Sequence, residues 1–166
     1  DGGKKATELL IKKQCENIIH INGPLDLETP ANLRRKAYED VMKGQGKLPI
    51  TYEVSPQKSR EEVIVKLFDD HPEVDGIFAS DDLIAAAVIT EARKRGKDIP
   101  TQLKVIGYDG TETVKAILPE LTTIQQPIDS IAKVAIDILS KEIEGEFNNI
   151  EFETYLPVKL LEDGTT

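Results

Sequence analysis

Two apolar stretches that end in acidic residues decide the fold: GIFASDD at residues 76–82 and KVIGYDG at residues 104–110. Each is typical of a short buried strand followed by a turn, and a helical pattern lies between them. A strand, a helix and a second strand in this order predict a parallel pair joined by a right-handed crossover. Asp81 and Asp109 then follow neighbouring strands, at the carboxyl edge where open parallel sheets hold small polar molecules.

The chain before and between these stretches repeats the alternation of helix and strand. Helices are predicted at residues 4–13, 29–42, 59–70 and 82–95, and strands at 17–21, 50–54, 76–79 and 104–108. Ser59 and Glu62 form a capping box for the third helix, while Asp82 is the expected cap of the fourth and Gly96 ends it. The pattern predicts an α/β fold, with helices on both faces of a parallel sheet.

The last forty residues follow a different pattern. One helical face carries a continuous apolar stripe, made by Ile128, Ile131, Val134, Ala135, Ile138 and Leu139. Residues 150–161 read as an extended segment that Pro157 interrupts. A stripe of this kind needs a partner surface, and we expect residues preceding Asp1 to supply it. We therefore interpret the chain as the C-terminal part of a longer protein.

Composition and charge exclude several classes of function. The formal net charge of -9 over 166 residues would repel a phosphate backbone, so no nucleic-acid surface is expected in this chain. The single cysteine excludes an internal disulfide, and together with two histidines it offers no zinc-ligand spacing. We expect no metal and no cofactor. No apolar run reaches the roughly 18 residues of a membrane span, so no membrane partner is expected.

Enzymatic sites find little support in the motifs. The Gly-x-Ser-x-Gly elbow is absent, and His20 and His71 lie outside any nucleophile context. Residues 44–47 (GQGK) lack the first glycine and the hydroxyl residue of a phosphate-binding loop, so they are interpreted as a surface turn. Asp81 and Asp109 could imitate the carboxylate pair of a glycoside hydrolase, but no environment that raises the pKa of an acid can be read from the sequence. No catalytic residue is predicted, and a carbohydrate-active hydrolase remains a distant alternative.

Seven short motifs, in one order and spacing over nearly the whole chain, resemble a known family. They are DGG (1–3), INGP (21–24), RRKAY (34–38), FASDDLIA (78–85), VIGYD (105–109), LTTIQQP (121–127) and LPVKL (156–160). Together they are similar to the lactose-repressor and galactose-repressor (LacI/GalR) family of transcriptional regulators. The resemblance implies an effector-binding core shaped like a type I periplasmic-binding protein, with three-layer α/β/α lobes and the ligand between them, and a separate N-terminal helix-turn-helix domain.

The resemblance also implies a division of the chain and a function. Residues 1–124 would form the C-terminal lobe, residues 125–159 a crossover, helix and strand of the N-terminal lobe, and residues 160–166 a return segment. The implied protein is not an enzyme but a cytoplasmic, homodimeric, sugar-responsive repressor, which reaches operator DNA through a domain that this chain lacks. A periplasmic or extracellular sugar-binding protein of an uptake system is the alternative. The motifs at 121–127 and 156–160 favour the regulator.

Three ligand-binding positions of the family carry matching residues here. Arg34 would present its guanidinium to sugar hydroxyls or a carboxylate, since its rigid donor fork suits vicinal oxygens. Asp109 would accept two hydroxyl hydrogen bonds, and Gln126 would face the cleft from the crossover. Without the family match, the same residues read as a solvated helix charge, a turn aspartate and an exposed loop glutamine. Phe78 and Tyr108 are expected in the core rather than in the pocket.

Four positions depart from the family pattern. Asp81 stands where asparagine is common, so an acceptor-only carboxylate favours hydroxyl-rich or cationic ligands over anionic ones. Val54 stands where members often place an aromatic ring, so a small apolar contact replaces stacking on the ligand. The catabolite-control branch reads a serine-phosphorylated carrier protein with two arginines, whose places hold Asp137 and Asp163. Carboxylates would repel the phosphate, so that carrier is not an expected partner.

Overall fold

The computed structural model describes residues 1–26, 29–145 and 154–166. Helices and strands alternate along the chain, as predicted. They are α1 (Gly2–Lys12), β1 (Ile18–Asn22), α2 (Pro30–Gly44), β2 (Ile50–Glu53), α3 (Arg60–Asp70), β3 (Gly76–Ala79), α4 (Asp82–Lys94), β4 (Lys104–Asp109), α5 (Glu112–Ile117), β5 (Thr122–Gln125), α6 (Ile128–Ile143) and β6 (Lys159–Leu161). The strands form one sheet in the order β2-β1-β3-β4-β5-β6. All neighbours pair in parallel except β5 and β6, which are antiparallel.

Apolar side chains pack on both faces of this sheet, because successive residues of a strand point to opposite sides. Ile77 of β3 packs with α3 and α4, whereas the adjacent Phe78 packs with α1 and α2. The strands β1 and β3 are buried along their whole length. The predicted α/β/α layering and parallel sheet are therefore confirmed, and so is the place of Phe78 in the core.

Two helix starts illustrate how local sequence sets the boundaries. The predicted capping box of α3 is present: Ser59 Oγ accepts from the Glu62 amide at 3.2 Å, and the Glu62 carboxylate accepts from the Ser59 amide at 3.1 Å. For α4 the predicted cap was wrong. Asp81 has extended backbone angles, and its carboxylate accepts from the Ile84 amide at 2.8 Å. Asp82 is the first helical residue, so its side chain is directed into the protein and is buried.

The second half of the chain contains elements that the sequence did not predict. The six-residue helix α5 and the strand β5 lie between β4 and the crossover. Of the segment expected to be extended from 150 to 161, residues 154–161 are described; among these, Lys159–Leu161 form a strand and residues 154–158 are irregular. Pro157 fits this, since proline cannot donate to a ladder. Residues 150–153 lie outside the described residues.

The helix α6 differs from the other long helices, because none of its residues is buried. Ile128, Leu139 and Ile143 expose 55%, 56% and 85% of their surface. As far as the described residues show, the predicted apolar stripe thus exists as a largely exposed helix face, on which Val134 and Ile138 are partly buried. Within the described ranges, no helix is long and apolar enough to cross a membrane.

Cys15, in the turn after α1, is the only cysteine of the chain. Its thiol is free and buried, and Sγ lies 3.4 Å from the carbonyl oxygen of Asp75. A Cβ on Gly76 would come within 3.1 Å of this sulfur, so glycine at the start of β3 makes room for it. Burial, with a smaller contribution from the Asp75 charge, raises the pKa of the thiol to about 11.

Candidate functional site

The candidate site lies at the carboxyl edge of the sheet, where the strand order reverses. The strand β1 lies between β2 and β3, and the helices that follow β1 and β3 pack on opposite faces. A crevice forms at such a switch point, since the two connections leave in opposite directions. Asp81 follows β3, and Asp109 is the last residue of β4, the neighbouring strand. The structure thus places both aspartates at the predicted edge.

Arg34 crosses this crevice from α2 and is held by three groups. Its Nη1 donates to the carbonyl oxygen of Ser80 at 2.6 Å, and its Nη2 lies 3.6 Å from Asp109 Oδ1. The guanidinium stacks on the Tyr108 ring, with Cζ 3.6 Å from the ring centroid. A cation over an aromatic face is stabilised by the ring quadrupole, so the planar group is fixed before any ligand arrives. Only 14% of the side chain is exposed.

Asp109 has an unusual backbone conformation. Its φ is 110°, in the region that favours glycine, and the following Gly110 has φ 62°. Conformations of this kind cost of order 1–3 kcal/mol in a residue with a side chain, and they cluster at ligand sites. A Cβ on Gly110 would lie 2.7 Å from Gln125 Cα, so this glycine also permits close approach of the crossover.

The Asp109 carboxylate has partners of two kinds. Gln126 Nε2 donates to Oδ1 at 2.6 Å, and Arg34 Nη2 lies 3.6 Å from the same oxygen. Burial raises the pKa of Asp109, and the nearby Asp81 charge raises it further. The hydrogen bond from Gln126 and the positive charge of Arg34 lower this pKa. An acid in a pKa-raising environment, which the sequence did not reveal, is therefore present. Oxygen acceptors of this kind suit the hydroxyl groups of a ligand.

The predicted residues do not all belong to one group. Asp109 contacts both Arg34 and Gln126, and Asp81 is close enough for its charge to act on Asp109. Val54 follows β2, two strands away from β3, and it packs against the apolar cluster on the α3 and α4 side. The structure therefore shows no stacking platform at Val54.

Tyr108, which the sequence predicts to lie in the core, also contributes to the candidate site. It is buried, as predicted, yet its ring also supports the Arg34 guanidinium. A Cβ on Gly2 would lie 2.6 Å from this ring, so α1 packs directly against the tyrosine. No sequence motif signals the pair, because Arg34 and Tyr108 are more than 70 residues apart and meet only through the sheet order.

His20 lies fully buried in β1 below the same edge. Its Nδ1 is 2.8 Å from the Phe78 carbonyl oxygen, and its Nε2 is 3.2 Å from Asn22 Oδ1. Burial lowers its pKa to about 4, because the charged imidazolium is poorly solvated there. His20 is thus uncharged at neutral pH and belongs to the core. Among the described residues, no group of three or more His, Cys, Asp or Glu side chains is arranged to hold a metal ion.

Comparison with known proteins agrees with this architecture. A family model for the periplasmic-binding-protein-like domain matches residues 7–166. The ribose operon repressor of Halalkalibacterium halodurans is 34% identical over 99% of this chain and 50% of its own length. The sucrose operon repressor of Streptococcus mutans is 37% identical over 97% of this chain and 49% of its own length. The chain spans about half the length of these curated relatives.

A solved structure from Alkaliphilus metalliredigens, described as a periplasmic binding protein/LacI transcriptional regulator complexed with D-xylulofuranose, has a TM-score of 0.85 to this chain. It is 34% identical, and the match covers 99% of this chain and 62% of that one. The sequence similarity to the two repressors and the fold shared with this regulator extend over almost all of the present sequence. The chain therefore belongs to the family of periplasmic-binding-protein-like domains, in the form found in the LacI type of sugar-operon repressors.

Proposed function

We propose that this chain is the effector-binding region of a sugar-responsive transcriptional repressor. The observation that carries the proposal is the group at the sheet edge, in which Arg34, Asp109 and Gln126 present a donor fork, an acceptor and an amide side by side. The named functions of the relatives support it, as does the sugar in the similar solved structure. The activity is binding rather than catalysis, and the protein acts in the cytoplasm on DNA.

The charge of the site defines the class of effector. Asp81 and Asp109 contribute two carboxylates, while the Arg34 guanidinium, which reaches Asp109, is already stacked and hydrogen-bonded. A phosphate or carboxylate on the ligand would meet net negative charge, whereas sugar hydroxyls can donate to both aspartates. The effector is therefore a neutral monosaccharide or disaccharide, or a hydroxyl-rich derivative. Val54 adds a small apolar contact at the border of the cleft.

Within this function, residues 1–124 form the C-terminal lobe of the core. Residues 125–159 supply a crossover, a helix and a strand to the N-terminal lobe, and residues 160–166 return to the first lobe. The antiparallel pairing of β6 with β5 supports the return. The effector binds one arrangement of the lobes more tightly and so shifts the population of DNA-binding states. A helix-turn-helix domain of the whole protein contacts the operator.

The partners follow from the same arrangement. The whole repressor works as a homodimer, and the N-terminal lobe covers α6, whose apolar stripe is open here. We expect the 166-residue chain on its own to self-associate, because an exposed stripe of that size tends to find apolar surface. Light scattering over a dilution series measures this, and a strict monomer would contradict it.

A phosphorylated carrier protein is not a partner, since Asp137 and Asp163 would repel it.

Calorimetry of the whole repressor against a panel of neutral sugars tests the function. At least one sugar should bind, and Asp109→Ala should weaken it by about 1.5 kcal/mol or more, the lower range for a hydrogen bond to a charged group. Asp75→Ala is the matched control, because Asp75 is the same residue type at the opposite edge of the sheet. Equal affinity in the Asp109→Ala protein would refute the assignment of the site.

A further inference from the structure

Asp82, which the proposed function does not use, links three elements beneath the site. Its carboxylate is buried, with Oδ1 accepting from the Thr123 hydroxyl of β5 at 2.6 Å and Oδ2 accepting from the Gly110 amide at 2.8 Å. A Cβ on Gly107 would overlap Oδ1, so glycine in the middle of β4 makes the space for this carboxylate. The first residue of α4 is thereby tied both to the turn after β4 and to β5.

A buried carboxylate is costly unless its oxygens are satisfied. Burial raises the pKa of Asp82 and the nearby Asp109 charge adds to this, while the hydrogen bonds from Thr123 and Gly110 act in the opposite direction. A residue that only had to fill this space would be better apolar. The carboxylate therefore has a purpose that depends on its two acceptors.

That purpose is visible in one peptide group. The amide of Gly110 and the carbonyl of Asp109 belong to the same peptide plane, and each end of the plane is held by a different element. The amide donates to Asp82, and the carbonyl accepts from the Gln126 amide at 3.0 Å. Rotation of this plane would break both bonds and would change ψ of Asp109 and φ of Gly110. The two clamps thus maintain ψ of Asp109 and the positive φ of Gly110.

We propose that Asp82 is a positioning residue for effector binding: through the Gly110 amide it fixes the peptide after Asp109 and so holds the Asp109 carboxylate against Arg34 and Gln126. Asp82 itself does not touch the effector. The inference rests on the proposed function of the same site, but the clamp on the peptide exists with or without a ligand and can be measured separately.

The experiment compares three substitutions at Asp82. Asp82→Ala removes both acceptors, and Asp82→Leu removes them while keeping the branched shape, which protects the test against a failure of the alanine variant to fold. Asp82→Asn preserves the clamp, because its carbonyl can accept from Gly110 while its amide donates to the Thr123 hydroxyl. Thr165→Val is the matched control, since the Thr165 hydroxyl also makes two buried hydrogen bonds, to the Thr122 amide and the Val105 carbonyl, at the amino ends of β5 and β4.

Two quantities are measured for each protein that folds: amide hydrogen exchange at Gly110 by NMR, and affinity for the sugar that binds the unsubstituted protein best. We expect Asp82→Ala and Asp82→Leu to speed hydrogen exchange at the Gly110 amide and to lower the affinity for the sugar about tenfold or more. Such a loss is equivalent to one hydrogen bond to a charged group. Asp82→Asn should keep both values near those of the unsubstituted protein. Thr165→Val should lower the melting temperature and leave both values unchanged.

The outcomes separate the two proposals. Unchanged Gly110 exchange and affinity in Asp82→Ala or Asp82→Leu, with only a lower melting temperature, would show that Asp82 is structural and overturn the inference. Weakened binding in Asp82→Asn to the same extent as in Asp82→Leu would overturn it as well, because the charge rather than the clamp would then matter. If no sugar binds the unsubstituted protein, the proposed function fails, and Gly110 exchange alone decides whether Asp82 holds the peptide.

Discussion

An aspartate at each end of the parallel sheet has a different kind of hydrogen-bond partner. At the amino end, the Asp75 carboxylate accepts from the backbone amides of Glu16 and Asn17, both at 2.8 Å. At the carboxyl end, the Asp109 carboxylate is held by the side chains of Gln126 and Arg34 instead. Backbone amides are fixed partners, whereas a side chain such as that of Gln126 can turn to a ligand. The amino end is built for stability, and the carboxyl end keeps its acceptors available.

Backbone geometry shows the same contrast. Gly96, between α4 and β4, has φ 72° with open space where a side chain would go. Gly110, at the other end of β4, has φ 62° and lies directly against Gln125. The first glycine only turns the chain, but the second also brings the crossover onto the site. At Gly110 a positive φ and a close approach thus coincide, next to the proposed ligand site.

The largest expected effect comes from adding one methyl group to each of these glycines. Gly110→Ala combines an unfavourable φ with overlap on Gln125 backbone, so we expect it to destabilise folding by roughly 3 kcal/mol or more and to weaken sugar binding. Gly96→Ala has the unfavourable φ alone and should cost about 1 kcal/mol without affecting binding. Urea unfolding and calorimetry measure both. Equal costs at the two positions would erase the distinction between the two ends.

A smaller effect is expected from Asp75→Ala at the amino end. Loss of its two hydrogen bonds should lower the free energy of unfolding by about 1–2 kcal/mol, because both backbone amides lose a charged partner near the surface. Sugar affinity should stay unchanged. Asp109→Ala should show the reverse, with weaker binding and little loss of stability, since it removes a charge that is costly to bury. A parallel loss of stability and affinity in both variants would contradict the comparison.

The smallest effect concerns pH. The folded state raises the pKa of Asp109, mainly through burial, so the folded protein takes up this proton at higher pH than the unfolded chain does. The contribution of this group to stability is therefore fully present below its unfolded pKa and is lost as the pH rises through the folded pKa. Urea unfolding of the unsubstituted protein and Asp109→Asn between pH 7 and pH 4 measures this. As the pH falls, the free energy of unfolding of the unsubstituted protein should rise relative to that of Asp109→Asn. A fall in this difference would contradict a raised pKa of Asp109.

The sequence predicted the edge of the sheet well, because topology alone puts Asp81 and Asp109 there. It could not predict that Arg34 stacks on Tyr108, since that contact depends on the distance between α2 and β4. The cap of α4 was assigned to Asp82 instead of Asp81, a difference of one residue that the backbone angles decide. The strand β5, with sequence TTIQ, was missed because it is short and half polar, and its neighbours in the sheet determine its conformation.

Cys15 gives the protein a practical property. Its thiol is 4% exposed and its pKa is about 11, so almost no reactive thiolate is available while the chain is folded. A second cysteine introduced on the surface near the crevice would therefore react alone with a fluorescent maleimide, without prior removal of the native thiol. With this one substitution the protein can carry a single dye that reports ligand entry. Delayed labelling of Cys15 itself would mark each opening of the seam between α1 and β3.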